Sequence, residues 1–164
     1  MTFSHPNLRI VHADALTWLR AMPDASVDHV ICDPPYTETV HANVKSAWFV
    51  HGEMRKAYAD IPFEALSTVG AYLFVPELIR VARRWVICFS ALEQLGAYRL
   101  AAQRHRERGA PIDRYVRGMI FRKTQPMPQL TGDRPGQACG GLAVMHREGR
   151  KRWNRGGWAA HYEA

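Results

Sequence analysis

A chain of 164 residues with 47% hydrophobic and 23% charged residues has the composition of one globular domain, which excludes an intrinsically disordered chain. No apolar run approaches the ~20 residues of a membrane span, and the first five residues lack a signal-peptide pattern, so we expect a cytoplasmic protein without a membrane partner. The net charge of +7 indicates a polyanionic partner such as nucleic acid, with a merely solvated basic surface as the alternative.

The three cysteines, Cys32, Cys88 and Cys139, are odd in number and widely spaced. Cys32 and Cys88 lie in apolar, strand-like runs, so we expect them to be reduced core residues of a cytosolic protein. Their spacing does not match a zinc site, and no metal is expected.

The first predicted strand covers Leu8–His12, and Asp14 follows it with a side chain suited to begin a helix. Apolar side chains then recur at three-residue intervals and predict a short helix: Leu16, Leu19 and Met22.

Val30–Cys32 predicts a buried strand that ends abruptly in Asp33-Pro34-Pro35-Tyr36. The first proline favours extended geometry at Asp33, and neither proline has a backbone N–H. The carboxylate of Asp33 and the carbonyl of Pro34 are two acceptors for the two protons of an exocyclic amino group. The ring of Tyr36 can stack on a nucleobase, a contact worth roughly 1–3 kcal/mol. The four residues therefore predict a site for a nucleobase amine.

The tetrapeptide Asp33–Tyr36 resembles the catalytic motif of the amino-group DNA methyltransferases. The segments Arg9–Leu16 and Met22–Asp28 are similar to the lead-in of family members whose catalytic motif lies near the N-terminus. The resemblance implies methyl transfer from S-adenosylmethionine to adenine N6, which the initial Asp favours, or to cytosine N4. The catalytic residues that it implies are Asp33, Pro34, Pro35 and Tyr36.

The same resemblance implies an α/β fold: a Rossmann-like, class I S-adenosylmethionine-dependent methyltransferase sheet with helices on both faces. It implies cofactor contacts from Asp14, Ala15, Asp33 and Pro34. For Asp14 a purely structural role as a helix N-cap is the alternative, and both roles can hold.

Residues 37–60, which include Lys45, have no regular hydrophobic period. Because open α/β sheets place ligand-binding loops beyond strand ends, we expect a mobile target loop that helps to hold a flipped base. Within it, Trp48–Val50 is expected to be a packing anchor more than a stacking platform.

A helix is predicted from about Ser67 to Arg84, with a kink or a break at Pro76. Trp85–Phe89 predicts a second buried strand, and about Leu92–Arg108 a further helix. This alternation is typical of a doubly wound sheet.

Tyr115–Lys123 and Leu142–His146 predict the two strands of a terminal antiparallel hairpin, and 147–164 predicts a basic tail. The proline- and glycine-rich segment between the strands is similar to one that follows a late strand in the methyltransferase subgroup. Basic residues with an interleaved aromatic suit phosphate contact and stacking, although a solvated tail is the alternative for the last group. The expected DNA contacts are Lys45, Arg122, Lys123, Arg134, Arg150, Lys151, Arg152, Trp153 and Arg155.

Family members with this motif order continue into an Asp-Pro-Phe-x-Gly-Ser-Gly-type loop, which residues 1–164 lack. We therefore expect a single methyltransferase-like domain over 1–164 with an incomplete sheet and an exposed apolar edge at its first strands. Three explanations stay open: an inactive truncated product, complementation by a second chain or by self-association, or weak cofactor binding through the surviving surface. A catalytically inactive, nucleic-acid-binding or scaffold protein is the alternative function, and methylation of RNA or of a protein amide is a weaker one.

Overall fold

The computed structural model describes residues 2–37, 48–50, 53–55, 65–107, 114–124, 135–147, 149–153 and 161–163. In chain order these residues form β1 (Thr2–His5), β2 (Leu8–Val11), α1 (Ala15–Ala21), β3 (Val30–Cys32), β4 (Trp48–Val50), β5 (Glu53–Arg55), α2 (Thr68–Val81), β6 (Trp85–Ser90), α3 (Leu95–Glu107), β7 (Arg114–Arg122), β8 (Cys139–His146) and β9 (His161–Glu163). Within those ranges, no helix reaches both the length and the hydropathy of a bilayer-crossing segment.

The main sheet has five strands in the order β3-β6-β8-β7-β9. β3 and β6 are parallel, with Cys32 opposite Cys88, whereas β8 runs antiparallel to both β6 and β7. β9 is parallel to β7. The predicted mixed α/β architecture is confirmed, and the β7–β8 pair is the predicted antiparallel hairpin.

One core lies between the sheet and the three helices. Alternate residues of β6 are buried, and the core cluster joins them to side chains of all three helices and of β8. It includes Leu19, Ile79, Val86, Tyr98 and Met145. In the described part of the chain the helices therefore lie over one face of the sheet, whereas helices on both faces were expected. α2 lies between the parallel strands β3 and β6 in the chain, and α2 and α3 pack on the same core cluster.

Arg80 of α2 joins α1 and the turn after it to the core. Its guanidinium donates to the carbonyl oxygens of Leu19 and Met22 at 2.7 and 2.8 Å and pairs with Asp24 at 2.6 Å. These contacts hold the end of α1, and the turn that leads from it to β3, beside the end of α2.

Three local predictions differ from the structure. α2 continues through Pro76 without a break, because buried residues on both sides of the proline hold that face of the helix on the core. β2, the first predicted strand, lies outside the main sheet and pairs with β1 in a separate two-stranded sheet. The region 37–60 contains the hairpin β4–β5, and the predicted tail contains β9, so neither is wholly irregular.

Candidate active site

The tetrapeptide Asp33–Tyr36 leaves the sheet at the carboxyl end of the parallel strand pair. It directly follows Cys32, whose register partner Cys88 lies two residues before the end of β6. In open α/β sheets this edge is where ligands bind. The predicted catalytic motif therefore lies at the edge where the fold places its sites.

Residue exposure differs along the corner. Asp33 is exposed, Pro34 is buried, and Pro35 and Tyr36 are partly buried. A carboxylate sealed inside the core would exclude contact with a base. The exposure of Asp33 is compatible with that contact, while Pro34 anchors the corner to the protein.

Tyr36 is bound to Asp33 through its side chain. Burial, the hydrogen bond to Asp33 and the negative charge of Asp33 together raise the pKa of Tyr36 to about 12. The phenol therefore remains protonated at neutral pH and donates to the carboxylate. The sequence predicted a stacking ring at this position but not this hydrogen bond.

Gln94 holds the backbone that follows the corner. The N–H of Leu66 donates to the carbonyl of Tyr36 at 3.1 Å, and the side-chain amide of Gln94 donates to the carbonyl of Leu66 at 2.9 Å. Gln94 is buried, and its Oε1 atom has no hydrogen-bond partner among the described residues. Sequence reasoning missed this residue, whose only signal is a polar side chain four residues after the end of the apolar strand β6.

Two thiols and a phenol lie beneath the corner. The Sγ atoms of Cys32 and Cys88 are 3.2 Å apart. The buried hydroxyl of Tyr98 has no partner in the part of the chain that is described, and burial, together with the nearby Cys88, Cys32, Tyr36 and Asp33, raises the pKa of Tyr98. The corner thus rests on a layer of weakly acidic groups.

Asp14 begins α1, which confirms its structural role. Its Oδ1 atom accepts from the backbone N–H of Thr17 at 2.8 Å, and hydrogen bonds from Thr17 lower the pKa of Asp14. Asp14 and Ala15 are both exposed. Within the described ranges no hydrogen bond or ion pair joins either residue to the corner, so their predicted cofactor role stays a prediction.

Arg122 and Lys123 lie at the same edge of the sheet as the corner. Arg122 is opposite Cys139, just beyond the level at which Gly141 pairs with Ser90. Both basic residues are exposed. They stand three strands away from β3, roughly 14 Å at the usual strand spacing.

The other predicted DNA contacts among the described residues lie at the opposite edge. The indole N–H of Trp85, which begins β6, donates to the carbonyl of Arg152 at 3.1 Å, and the rings of Trp85 and Trp153 are 5.3 Å apart. Trp85 and Ser90 are separated by the length of β6, roughly 17 Å. Arg150, Lys151, Arg152 and Trp153 are therefore not brought together with the corner. Lys45, Arg134 and Arg155 lie outside the described residues.

No protein-family model matches the chain, and no curated protein sequence matches it. Solved structures do. The complex of M1.HpyAVI with S-adenosylmethionine matches with a TM-score of 0.53 at 12% identity, over 93% of this chain and 64% of that one. M1.HpyAVI alone gives a TM-score of 0.55 at 10% identity, over 93% and 63%. The selenomethionine derivative of TTHA0409, a candidate DNA modification methylase of Thermus thermophilus, gives 0.52 at 12% identity, over 92% and 63%.

The comparisons identify the fold of the chain. It is the mixed α/β, Rossmann-like fold of these structures, as the resemblance implied. The chain spans less than two thirds of the length of each of these structures. At such identities the likeness shows the fold and not the reaction.

Proposed function

We propose that this chain carries the catalytic corner of an amino-group DNA methyltransferase that acts on adenine N6, with cytosine N4 as the variant target. The observation that carries the proposal is the exposed carboxylate of Asp33 beside Pro34, at the carboxyl edge of the parallel strands of a methyltransferase-like fold. The similarity to DNA methyltransferase structures supports it. A restriction–modification or phage setting and a cytoplasmic location are part of the same proposal.

In this proposal the carboxylate of Asp33 and the carbonyl of Pro34 accept hydrogen bonds from the two N–H groups of the target amine. Nitrogen lone-pair density then becomes available without a strong general base. The phenol of Tyr36 holds the carboxylate in place, and its ring packs on the base. Because no residue here is a strong base, positioning supplies most of the acceleration.

The cofactor in this proposal is S-adenosylmethionine, which supplies an electrophilic methyl group on a sulfonium centre. The residues that would hold it are Asp14, Ala15, Asp33 and Pro34. The exposed carboxylate of Asp14, with its lowered pKa, fits the hydroxyl or amino donors of an adenosine. The exposed carboxylate of Asp33 fits a cationic group.

DNA is the proposed macromolecular partner, with the target base rotated out of the duplex. Arg122 and Lys123 suit phosphate contacts near the target, since they lie at the edge of the corner. Lys45, Arg134 and Arg155 are proposed as further contacts on sequence grounds alone. Arg150, Lys151, Arg152 and Trp153, at the opposite edge, suit contacts with DNA away from the target base.

The test is incorporation of labelled methyl groups from S-adenosylmethionine into unmethylated duplex DNA. Asp33→Ala should abolish incorporation. Asp28→Ala is the matched control, because Asp28 precedes the same strand and loses only an exposed ion pair with Arg83. Absence of incorporation at micromolar wild-type protein rejects autonomous activity, and full activity in Asp33→Ala rejects the mechanism.

A second candidate function is a non-catalytic, nucleic-acid-binding scaffold. The outer edge of β3 pairs with no described strand. Ile31, the middle residue of β3, is 72% exposed. Leu8 and Ile10 of β2 are also exposed. This apolar edge favours a second chain or self-association that covers it. Calorimetry separates the candidates: salt-sensitive DNA binding without S-adenosylmethionine binding supports the scaffold.

A further inference from the structure

Cys32 and Cys88 form a thiol pair directly beneath the candidate active site. They are register partners across β3 and β6, and their Sγ atoms are 3.2 Å apart. Both are free cysteines. We propose that this pair is a redox modification site, at which a hydroperoxide converts the two thiols into a reversible disulfide.

The usual spacing of neighbouring strands falls within the range that a disulfide spans. Neighbouring strands lie about 4.8 Å apart, and disulfides join residues whose Cα atoms are about 4.4–6.8 Å apart. The Sγ atoms need to approach by only about 1 Å to reach the bonded separation of about 2.05 Å. Small side-chain rotations therefore suffice, and the strands need not separate.

The two thiols differ in access, which assigns their roles. Cys88 is fully buried, whereas Cys32 is partly exposed on β3, which has no described strand on its outer side. A small oxidant therefore reaches Cys32 first. The hydrogen bond with Cys32 and burial raise the pKa of the Cys88 thiol, so Cys88 stays protonated and protected until it reacts.

The reaction balances in two steps. The Cys32 sulfur takes one oxygen from the hydroperoxide as the O–O bond breaks, which gives a sulfenic acid and releases water or an alcohol. The Cys88 sulfur then attacks that sulfur, the S–S bond forms, the S–O bond breaks and water leaves. Together the thiols lose two electrons and two protons to the peroxide, and exchange with a dithiol reverses the change.

The modification lies next to the reacting group of the proposed function, because Asp33 directly follows Cys32. A cross-link would tie the last residue of β3 to β6 immediately before the start of the corner and restrict the motion of Asp33. In cytosolic proteins such disulfides are usually transient or redox-sensing. If the proposed function holds, oxidation should lower methyl transfer, and reduction should restore it.

The test uses the full chain and no activity assay. Wild-type protein is exposed briefly to a small excess of hydrogen peroxide, quenched by thiol alkylation, and analysed by intact-mass and peptide mass spectrometry. We expect the loss of two hydrogen atoms, a Cys32–Cys88 cross-linked peptide and an alkylated Cys139. In a parallel sample, dithiothreitol added before the alkylation should return all three thiols. Cys139→Ser should form the cross-link as wild type does, and Cys32→Ser should not.

Several outcomes would overturn the proposal: a disulfide that involves Cys139, a cross-link between two chains, over-oxidation of Cys32 with Cys88 still alkylated, or no reaction. The wild-type measurement needs no variant, so a folding defect in Cys32→Ser does not affect it. A Cys32–Cys88 disulfide in a protein that methylates no DNA would support this site and reject the proposed function. DNA methylation by a protein that forms no Cys32–Cys88 disulfide would support the proposed function and reject this site.

Discussion

The phenol of Tyr36 donates a hydrogen bond to the carboxylate of Asp33, three residues earlier in the same corner. The carboxylate therefore has a defined orientation before any base arrives. An acceptor that is already positioned need not be ordered during the reaction.

Replacement of Tyr36 by Phe separates this hydrogen bond from the stacking role of the ring. We expect Tyr36→Phe to lower the rate of methyl transfer by roughly tenfold or less, the value of one hydrogen bond. Tyr36→Ala should lower it by a further factor of about 10 to 100, because the stacking surface is lost as well. Single-turnover rates with duplex DNA check this, with Tyr115→Phe at the opposite edge as the control. Equal rates in Tyr36→Phe and wild type would contradict a role for the bond.

Gln94 is expected to contribute to stability through its contact with Leu66. Gln94→Met keeps the length of the side chain but removes the donor to a part-buried carbonyl, so the free energy of unfolding should fall by about 1–2 kcal/mol. Gln103→Met, at an exposed position of α3, should change it by less than about 0.5 kcal/mol. Urea unfolding of both variants measures the difference. Two equal values would show that the contact does not stabilise the fold.

His146 makes stability depend on pH. It is 2% exposed, and burial lowers its pKa, aided by Lys151, Arg84 and His29 and opposed by the carbonyl of Arg147. The folded state therefore holds the neutral ring, while the unfolded chain takes up a proton below its ordinary pKa of 6.5. The contribution of the neutral His146 ring to the free energy of unfolding is fully present above pH 6.5. It is lost as the pH falls from that value through the lowered pKa of the folded state.

His146→Gln should therefore flatten the fall in unfolding free energy between about pH 7.5 and about pH 5.5. Urea unfolding across this range gives the slope. His12→Gln, which changes an exposed histidine, should keep the wild-type slope. An unchanged slope in His146→Gln would assign the pH dependence to other groups.

Gly140 is required by the ring of Phe121, its register partner on β7. A Cβ atom at Gly140 would overlap the ring of Phe121, so Gly140→Ala should destabilise the protein by about 1–3 kcal/mol. In α3 a Cβ at Gly96 would meet nothing within 4 Å. Gly96→Ala should therefore stabilise the protein by roughly 0.5–1 kcal/mol. Thermal unfolding of the two variants should move in opposite directions, and a shift of the same sign would contradict the argument.

The two basic regions should differ in their effects on DNA. Removing Arg122 and Lys123 together should weaken DNA binding and slow methylation, since both residues share the edge of the corner. Removing Arg150, Lys151 and Arg152 should weaken binding but leave the rate at saturating DNA unchanged. Each lost phosphate contact should reduce the salt dependence of log K by about 0.9. Binding titrations at several salt concentrations give these slopes, and unchanged slopes would assign the residues to a solvated surface.

Much of the fold follows from local pattern. The run Val30–Cys32 became β3 within the predicted bounds, because a short apolar segment closed by prolines has few alternatives. The N-cap role of Asp14 followed from residue type in the same way. By contrast, β9 has three residues and no readable period, and its pairing with distant β7 depends on tertiary structure.

In the candidate site, too, local features could be predicted from the sequence, whereas contacts that depend on tertiary structure could not. The edge position and exposure of Asp33 followed from the strand and its prolines. The contacts of Tyr36, Gln94 and Cys88 depend on which strands are neighbours and on the register of their pairing. Neither can be derived from the composition of the chain. The antiparallel direction of β8 carries residues 149–153 away from the corner, so a basic segment that was predicted to contact DNA lies at the far edge.

The pair Pro34-Pro35 also limits how another strand can add to β3. A strand that joins the outer side of Val30–Cys32 finds backbone groups there, but beyond Cys32 it meets two consecutive residues that cannot donate. Pairing would therefore stop at Asp33. The two prolines would therefore leave Asp33 and the corner uncovered in an assembly in which a further strand pairs with β3.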